Sequence, residues 1–377
     1  MTFAHLLLCQ SLLAASLLAG GDELFTVSPA DGNLRVIDPL TGSTQRVMPI
    51  FTALGVPAQA CNGLALHPFT GQLWVLVRTT ASSARRLATL DPATAIATEI
   101  GPTSDAFAGL AFRADGTLLA VTGDGATVPE TLYTLNLTNA TATLLATFGA
   151  GSDGEAIAFD PIDGFLYHAS GFGVQNTDEV FERVDAFTGA ATTITLSGFD
   201  YDELLGFTHW TGGNLLATDL NNNLVVVNTS GHVSLIAVLD HSAKGLVFLP
   251  SANTTPFRRS YGAGCAGSSG EIPLLWGTGS PGRGQGFTLE LIMAPANGFG
   301  ILAGGFGTGA VPLPSPQCQV QINPVGFSLA FFATAAGTRS FAITVPANLP
   351  PNDFYFQTGL LDSGAFLVAN PLQIHVQ

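Results

Sequence analysis

Gly63-Leu64-Ala65-Leu66-His67-Pro68 decides the fold, because the chain returns to it four times. The later copies are Gly109-Leu110-Ala111-Phe112-Arg113-Ala114, Ala156-Ile157-Ala158-Phe159-Asp160-Pro161, Gly206-Phe207-Thr208-His209-Trp210-Thr211 and Gly245-Leu246-Val247-Phe248-Leu249-Pro250. Their starts lie 46, 47, 50 and 39 residues apart, which is the period of a propeller blade. Each copy is a short apolar strand. A glycine turn follows it (Gly71, Gly116, Gly164, Gly213), then a second apolar strand such as Leu73 to Val77 or Leu118 to Thr122. A third strand ends in Asp-Pro or a relative, as at Asp91-Pro92, and a tight turn leads into a fourth strand rich in Thr and Ile. Four antiparallel strands per repeat make a blade.

Residues 22 to 50 supply strands two to four of such a unit and lack strand one; Lys244 to Leu249 is a first strand with no unit after it. Joined, the two fragments complete a ring and leave no open sheet edge. The sequence therefore predicts an all-β chain: a five-bladed β-propeller over residues 22–250, a linker at 251–259, and an antiparallel β-sandwich over 260–377. The sandwich is read from eight apolar runs separated by Gly and Pro clusters, among them Phe287 to Met293, Phe327 to Ala333 and Phe354 to Leu360.

The Asp-Pro-x-Thr-Gly turn, as in Asp38-Pro39-Leu40-Thr41-Gly42, resembles those of bacterial secreted propellers of the YVTN and quinoprotein-like kind. The resemblance covers the repeats and implies a secreted propeller, with no particular activity. The Trp-rich signature of quinoproteins is missing, since the chain has three Trp. Tyr261-Gly262-Ala263-Gly264-Cys265, Phe354-Tyr355-Phe356-Gln357 and Asn370-Pro371-Leu372 resemble a Gly-rich, uncharacterised C-terminal domain of large bacterial secreted proteins. Attachment to a surface, a protein or a polysaccharide outside the cytoplasm is what that second resemblance implies.

The apolar run Leu6 to Ala19, followed by Gly20-Gly21 and Asp22-Glu23, reads as a signal peptide over 1–21 and implies secretion or a place in the cell envelope. Its cysteine, Cys9, follows a leucine where a lipoprotein site needs a small residue. No later stretch is apolar and long enough for a membrane helix. Of the remaining cysteines, Cys265 and Cys318 both fall in the C-terminal part and form the natural disulfide, which leaves Cys61 as a buried thiol. With 12 basic residues against 27 acidic, a net charge of −15 and Lys244 as the sole lysine, a basic nucleic-acid footprint is absent.

Two glycine patterns, Gly262-Ala-Gly264-Cys-Ala-Gly267 and Gly277-Thr-Gly279-Ser-Pro-Gly282, lack the helix that a dinucleotide loop needs, and read as turns. There is no Gly-x-Ser-x-Gly elbow, and His67 and His209 read as structural. The acidic loops offer more. Connections from a fourth strand to the next first strand hold Asp105; Asp153 and Glu155; Asp200, Asp202 and Glu203; and Asp240. Ring symmetry would gather these oxygens at one channel mouth, a set suited to Ca²⁺, with solvated turns as the ordinary alternative. Asp219-x-Asn221-x-Asn223 has calcium-loop spacing without the glycine and glutamate of an EF-hand. Two function classes follow: a non-catalytic binding or scaffold protein, and a carbohydrate-active hydrolase using Asp153, Asp200 and Asp202 as its carboxylates. Sequons at Asn136, Asn139, Asn228 and Asn253 matter only in a glycosylating host.

Overall fold

The computed structural model describes residues 23–123, 125–128, 130–148, 153–171, 179–211, 213–249, 257–313 and 318–377. The signal peptide with Cys9, the linker residues 251–256 and Asn253 lie outside them. Among the described residues every regular element is a strand, and no helix is long and apolar enough to cross a membrane.

Residues 23–249 build five sheets. Four of them run in sequence order, Ala58–Leu66 to Ile96–Pro102, Phe107–Phe112 to Ala142–Thr147, Asp153–Phe159 to Ala191–Thr193, and Leu204–Thr211 to His232–Val238, with the short Phe51–Thr52 and Ser197–Gly198 added parallel to the last strand of the first and fourth. The remaining sheet draws on both ends of the array. Leu246–Leu249 pairs antiparallel with Glu23–Val27, which pairs with Asn33–Ile37 and then Thr44–Pro49. The first strands of the five sheets touch one another in a closed cycle. An apolar cluster fills each gap between neighbouring sheets. Phe25 and Leu34 meet Cys61 and Val75 in one; Trp210 and Leu216 meet Leu24 and Leu246 across the gap that joins the last sheet to the one built from both ends. This radial, cyclic stacking is a β-propeller arrangement.

The repeat glycines explain how the first strands come so close. A Cβ on Gly63 would sit 3.0 Å from Leu110 N, one on Gly109 3.1 Å from Ile157 N, and one on Gly245 2.9 Å from the carbonyl carbon of Gly63. Backbone there faces backbone of the next sheet, and any side chain would hold them apart. The turn residues have an equally local cause. The side-chain oxygens of Asp38, Asp91 and Asp185 accept backbone N–H groups two residues on. The N–H four residues on donates back to the carbonyl of the same aspartate.

In the C-terminal part a sheet runs Phe257–Ser260, Leu372–Val376, Asn352–Asp362, Phe299–Gly305, Val325–Phe332, with Ala365–Val368 also on Asn352–Asp362. Leu274–Gly279, Gly286–Ile292 and Arg339–Thr344 form another, and one core of Leu289, Leu302, Phe341 and Leu360 lies between. Phe257–Ser260, whose first three residues fall in the expected linker, is a strand of this part, paired with Leu372–Val376. Cys265 and Cys318 are bonded and buried in that core. Cys61 is free and 1% exposed, and burial pushes its thiol pKa up to about 12, with the Asp31 carboxylate adding to the effect.

Two outcomes follow from these contacts. Gly245→Ala is expected to cost about 1–3 kcal/mol in urea unfolding, as overpacking does, whereas Gly359→Ala, whose new methyl meets nothing within 4 Å, leaves stability unchanged or raised. Maleimide labels none of Cys61, Cys265 and Cys318 in the folded chain; in urea without reductant it labels Cys61 alone, as peptide mapping by mass spectrometry would show.

Candidate functional site

The first strands run in one direction around the axis, so the channel has an upper mouth where they begin and a lower mouth where they end. At the lower mouth a cavity of about 310 Å³ is lined by all five, with Leu66, Pro68, Phe112, Phe159 and Pro161 prominent. Its polar lining residues are Thr208 and His209, and His209 Nε2 lies 3.4 Å from Asp160 Oδ1. Burial lowers the His209 pKa to about 4 and raises that of Asp160 to about 6. A carboxylate and an imidazole that both resist charging in an apolar opening form a poor receptor for a hydrophilic ligand.

The upper mouth has the opposite character. A cavity of about 280 Å³ is lined by Asn62 of the Ala58–Leu66 strand, Arg78 and Arg85 beside the hairpin that follows it, Glu203 at the entrance to Leu204–Thr211, and Ser242 and Lys244 ahead of the closing strand. Lys244 is 7% exposed, Asn62 6% and Glu203 9%. The backbone holds Lys244 firmly: its N–H donates to Val27 O, and its carbonyl accepts from Gly63 N–H. Ring closure thus places it. Arg85 Nη1 donates to Phe107 O at 2.6 Å, so its guanidinium is tied to the next sheet.

Of the seven carboxylates expected at this mouth, the structure brings Glu203 to the cavity. Asp105 Oδ1 accepts the N–H groups of Ala106 and Thr127 and so ties its own loop to the one after Leu118–Thr122. Asp202 accepts from Glu203 N and from Asn221 Nδ2. Asp200 is exposed, and Asp240, 71% exposed, accepts from Thr44 Oγ1 and bonds His241 Nδ1. Asp153 and Glu155 enter the Asp153–Phe159 strand, but their side chains lie outside the described set. Among the described residues no three His, Cys, Asp or Glu side chains converge as metal ligands. In the Asp219 loop both carboxylate oxygens are taken by Asn223, from its backbone N–H and its side-chain amide. That spacing makes a turn. His67 likewise spends Nδ1 on the N–H groups of Phe69 and Thr70. Asn228 is 2% exposed and bonded to Gly270 O, a place with no room for a glycan.

The residues that sequence reading missed are the basic ones. Three cations and one carboxylate are found among the described lining residues, in a chain whose net charge is −15. A signal existed, because the only lysine of the chain directly precedes a repeat glycine. A further cavity, about 640 Å³, lies between the fifth sheet and the C-terminal part. Its polar groups answer one another: Ser234 Oγ donates to Glu271 Oε1 at 3.1 Å, and His232 Nε2 lies 3.9 Å from the same oxygen.

No protein-family model matches the chain, and no curated protein matches its sequence. Solved structures similar to it include TolB from Acinetobacter baumannii, at 13% identity and a TM-score of 0.37 over 72% of this chain and 61% of that one. A gluconolactonase from Xanthomonas campestris is similar at 12% identity and a TM-score of 0.34, covering 62% of this chain and 94% of that one. An exo-β-1,3-galactanase from Phanerochaete chrysosporium, solved with galactose, is similar at 10% identity and a TM-score of 0.38, covering 89% and 99%. The chain spans less than two thirds of the length of the TolB chain it matches. These likenesses are distant, and the cyclic stacking of sheets rests on the strand pairings themselves.

Proposed function

We propose that this chain is an extracytoplasmic, non-catalytic binding protein: a five-bladed β-propeller over residues 22–250 that receives a small ligand at its upper mouth, followed by a β-sandwich over 260–377 that attaches it to a protein or polysaccharide. The observation that carries this reading is the upper cavity, where buried polar side chains from separate sheets converge on one water-accessible space. The disulfide supports an oxidising compartment. Exposed Phe306, Phe327, Leu329 and Phe332 give the C-terminal part an apolar surface of the kind that marks an attachment site.

A glycoside-cleaving site requires two carboxylates flanking one bond, roughly 5 to 9.5 Å apart. Glu203 is the one carboxylate among the described lining residues, and Asp202 has its oxygens engaged by Glu203 N–H and Asn221 Nδ2. Three basic side chains around the same space argue against a resident Ca²⁺ as well. Binding without chemistry is what remains.

Thermal-shift screening of small sugars, organic acids and phosphate esters tests the proposal. At least one compound is expected to raise the melting temperature in a dose-dependent way through linkage, and Asn62→Trp, which fills the cavity, abolishes the shift. Release of nitrophenol from aryl glycosides, lost in Asp202→Asn, would establish the hydrolase instead.

A further inference from the structure

Lys244 is 7% exposed as a residue, lines the water-accessible upper cavity, and makes no side-chain hydrogen bond or ion pair with a described residue. A lysine whose stem is packed and whose ammonium opens on such a space can offer its charge to an incoming anion. Arg78, an exposed neighbour on the same cavity, also has no ion pair with a described residue. Arg85 adds a third cation, held in place by its bond to Phe107 O. Asn62 and Ser242 complete the wall with neutral donors and acceptors, and Glu203 supplies one carboxylate able to accept from hydroxyl groups.

We propose that the upper mouth is an oxyanion receptor: Lys244 and Arg78 hold the charge of a small hydroxylated carboxylate or phosphate ester, while Asn62, Ser242 and Glu203 take its hydroxyls. The inference rests on the binding role proposed above and names the ligand class. An ammonium and a guanidinium provide a point charge and a planar fork for the same anionic group. Size sets the upper limit. A cavity of about 280 Å³ holds on the order of nine waters, the space of one monosaccharide acid and too little for an oligomer. The rest of the chain sharpens the choice, because a net charge of −15 repels extended polyanions while the recessed cations attract a small one.

Isothermal titration of the full chain with D-glucuronate, D-glucose 6-phosphate and neutral D-glucose tests the receptor. Binding of either acid at least tenfold tighter than glucose supports it, and the preferred acid tells carboxylate from phosphate. Lys244→Met is expected to weaken the preferred acid at least tenfold, Arg78→Gln at least threefold, with both variants folded by circular dichroism. Arg78 is exposed, so its variant keeps the test valid if Lys244→Met fails to fold. Equal binding of glucose and the acids, or unchanged affinity in the folded variants, overturns the receptor. If neutral compounds alone bind and Asn62→Trp removes them, the receptor fails and the binding role stands. If no compound binds up to 10 mM, roughly the weak end of specific recognition, both fail.

Discussion

Everything in the N-terminal part depends on the first strands lying backbone to backbone around one axis. Gly63, Gly109, Gly206 and Gly245 are the places where that contact is tightest, and in each the missing Cβ would meet the neighbouring strand or its support. The constraint is collective. A ring closes only if every neighbouring pair of sheets keeps the same spacing, so one side chain pushed into the axis would open a gap that no single sheet could take up. The apolar clusters between sheets depend on the same spacing, since each draws side chains from two sheets at once. Closure of the ring by residues 246–249 supplies the last pair, and His241 reinforces it through a bond from its Nε2 to Thr26 Oγ1.

That geometry was legible in the sequence because it acts locally. A glycine opening an apolar run, and an aspartate whose side chain caps the N–H two residues on, are requirements of individual turns and strands, repeated often enough to reveal their period. The pairing of Leu246–Leu249 with Glu23–Val27 followed from phase alone. Phe257–Ser260 was misread for a related reason. Its polar Arg258-Arg259-Ser260 has no strand pattern of its own, and only its partner Leu372–Val376 makes it one. The channel mouth was less legible. Acidic residues in the connections were visible, yet a carboxylate in a loop has two possible destinations, its own backbone or the channel, and composition does not choose between them. Asp105 and Asp202 turned to their own and a neighbouring loop, whereas Lys244, Arg78 and Arg85 came to the cavity from strand ends and a hairpin that no acidic-loop argument considers.

The contrast between the two mouths follows from strand direction. Each first strand enters from a polar connection and leaves through His-Pro, Arg-Ala or Asp-Pro beside apolar neighbours, so polar groups gather where strands begin and apolar ones where they end. A −15 chain with a cationic recess at one pole sets a local positive field against its overall negative charge. The same pole also lies far from the C-terminal part. Glu203 stands at the entrance to Leu204–Thr211, and Trp210, which meets that part, is near its exit, seven residues or roughly 20 Å further along the strand.

The C-terminal part is seated on the seam where the ring closes. Phe248 belongs to the closing strand, and its ring lies 5.9 Å from that of Trp210 and 5.7 Å from that of Trp276 in the C-terminal part; Trp210 and Trp276 are themselves 5.7 Å apart. Three aromatic rings therefore join the fifth sheet, the closing strand and the second part in a single contact, beside the buried Leu274. Asn214 Nδ2 and Asn228 Nδ2 add bonds to the carbonyls of Ile272 and Gly270. An appendage tethered by a free linker would leave this seam bare. Here it packs on Phe248, so the closing strand is held both by its pairing with Glu23–Val27 and by Trp276. Attachment through the C-terminal part would then load the ring at its closure and leave the upper mouth open to solvent.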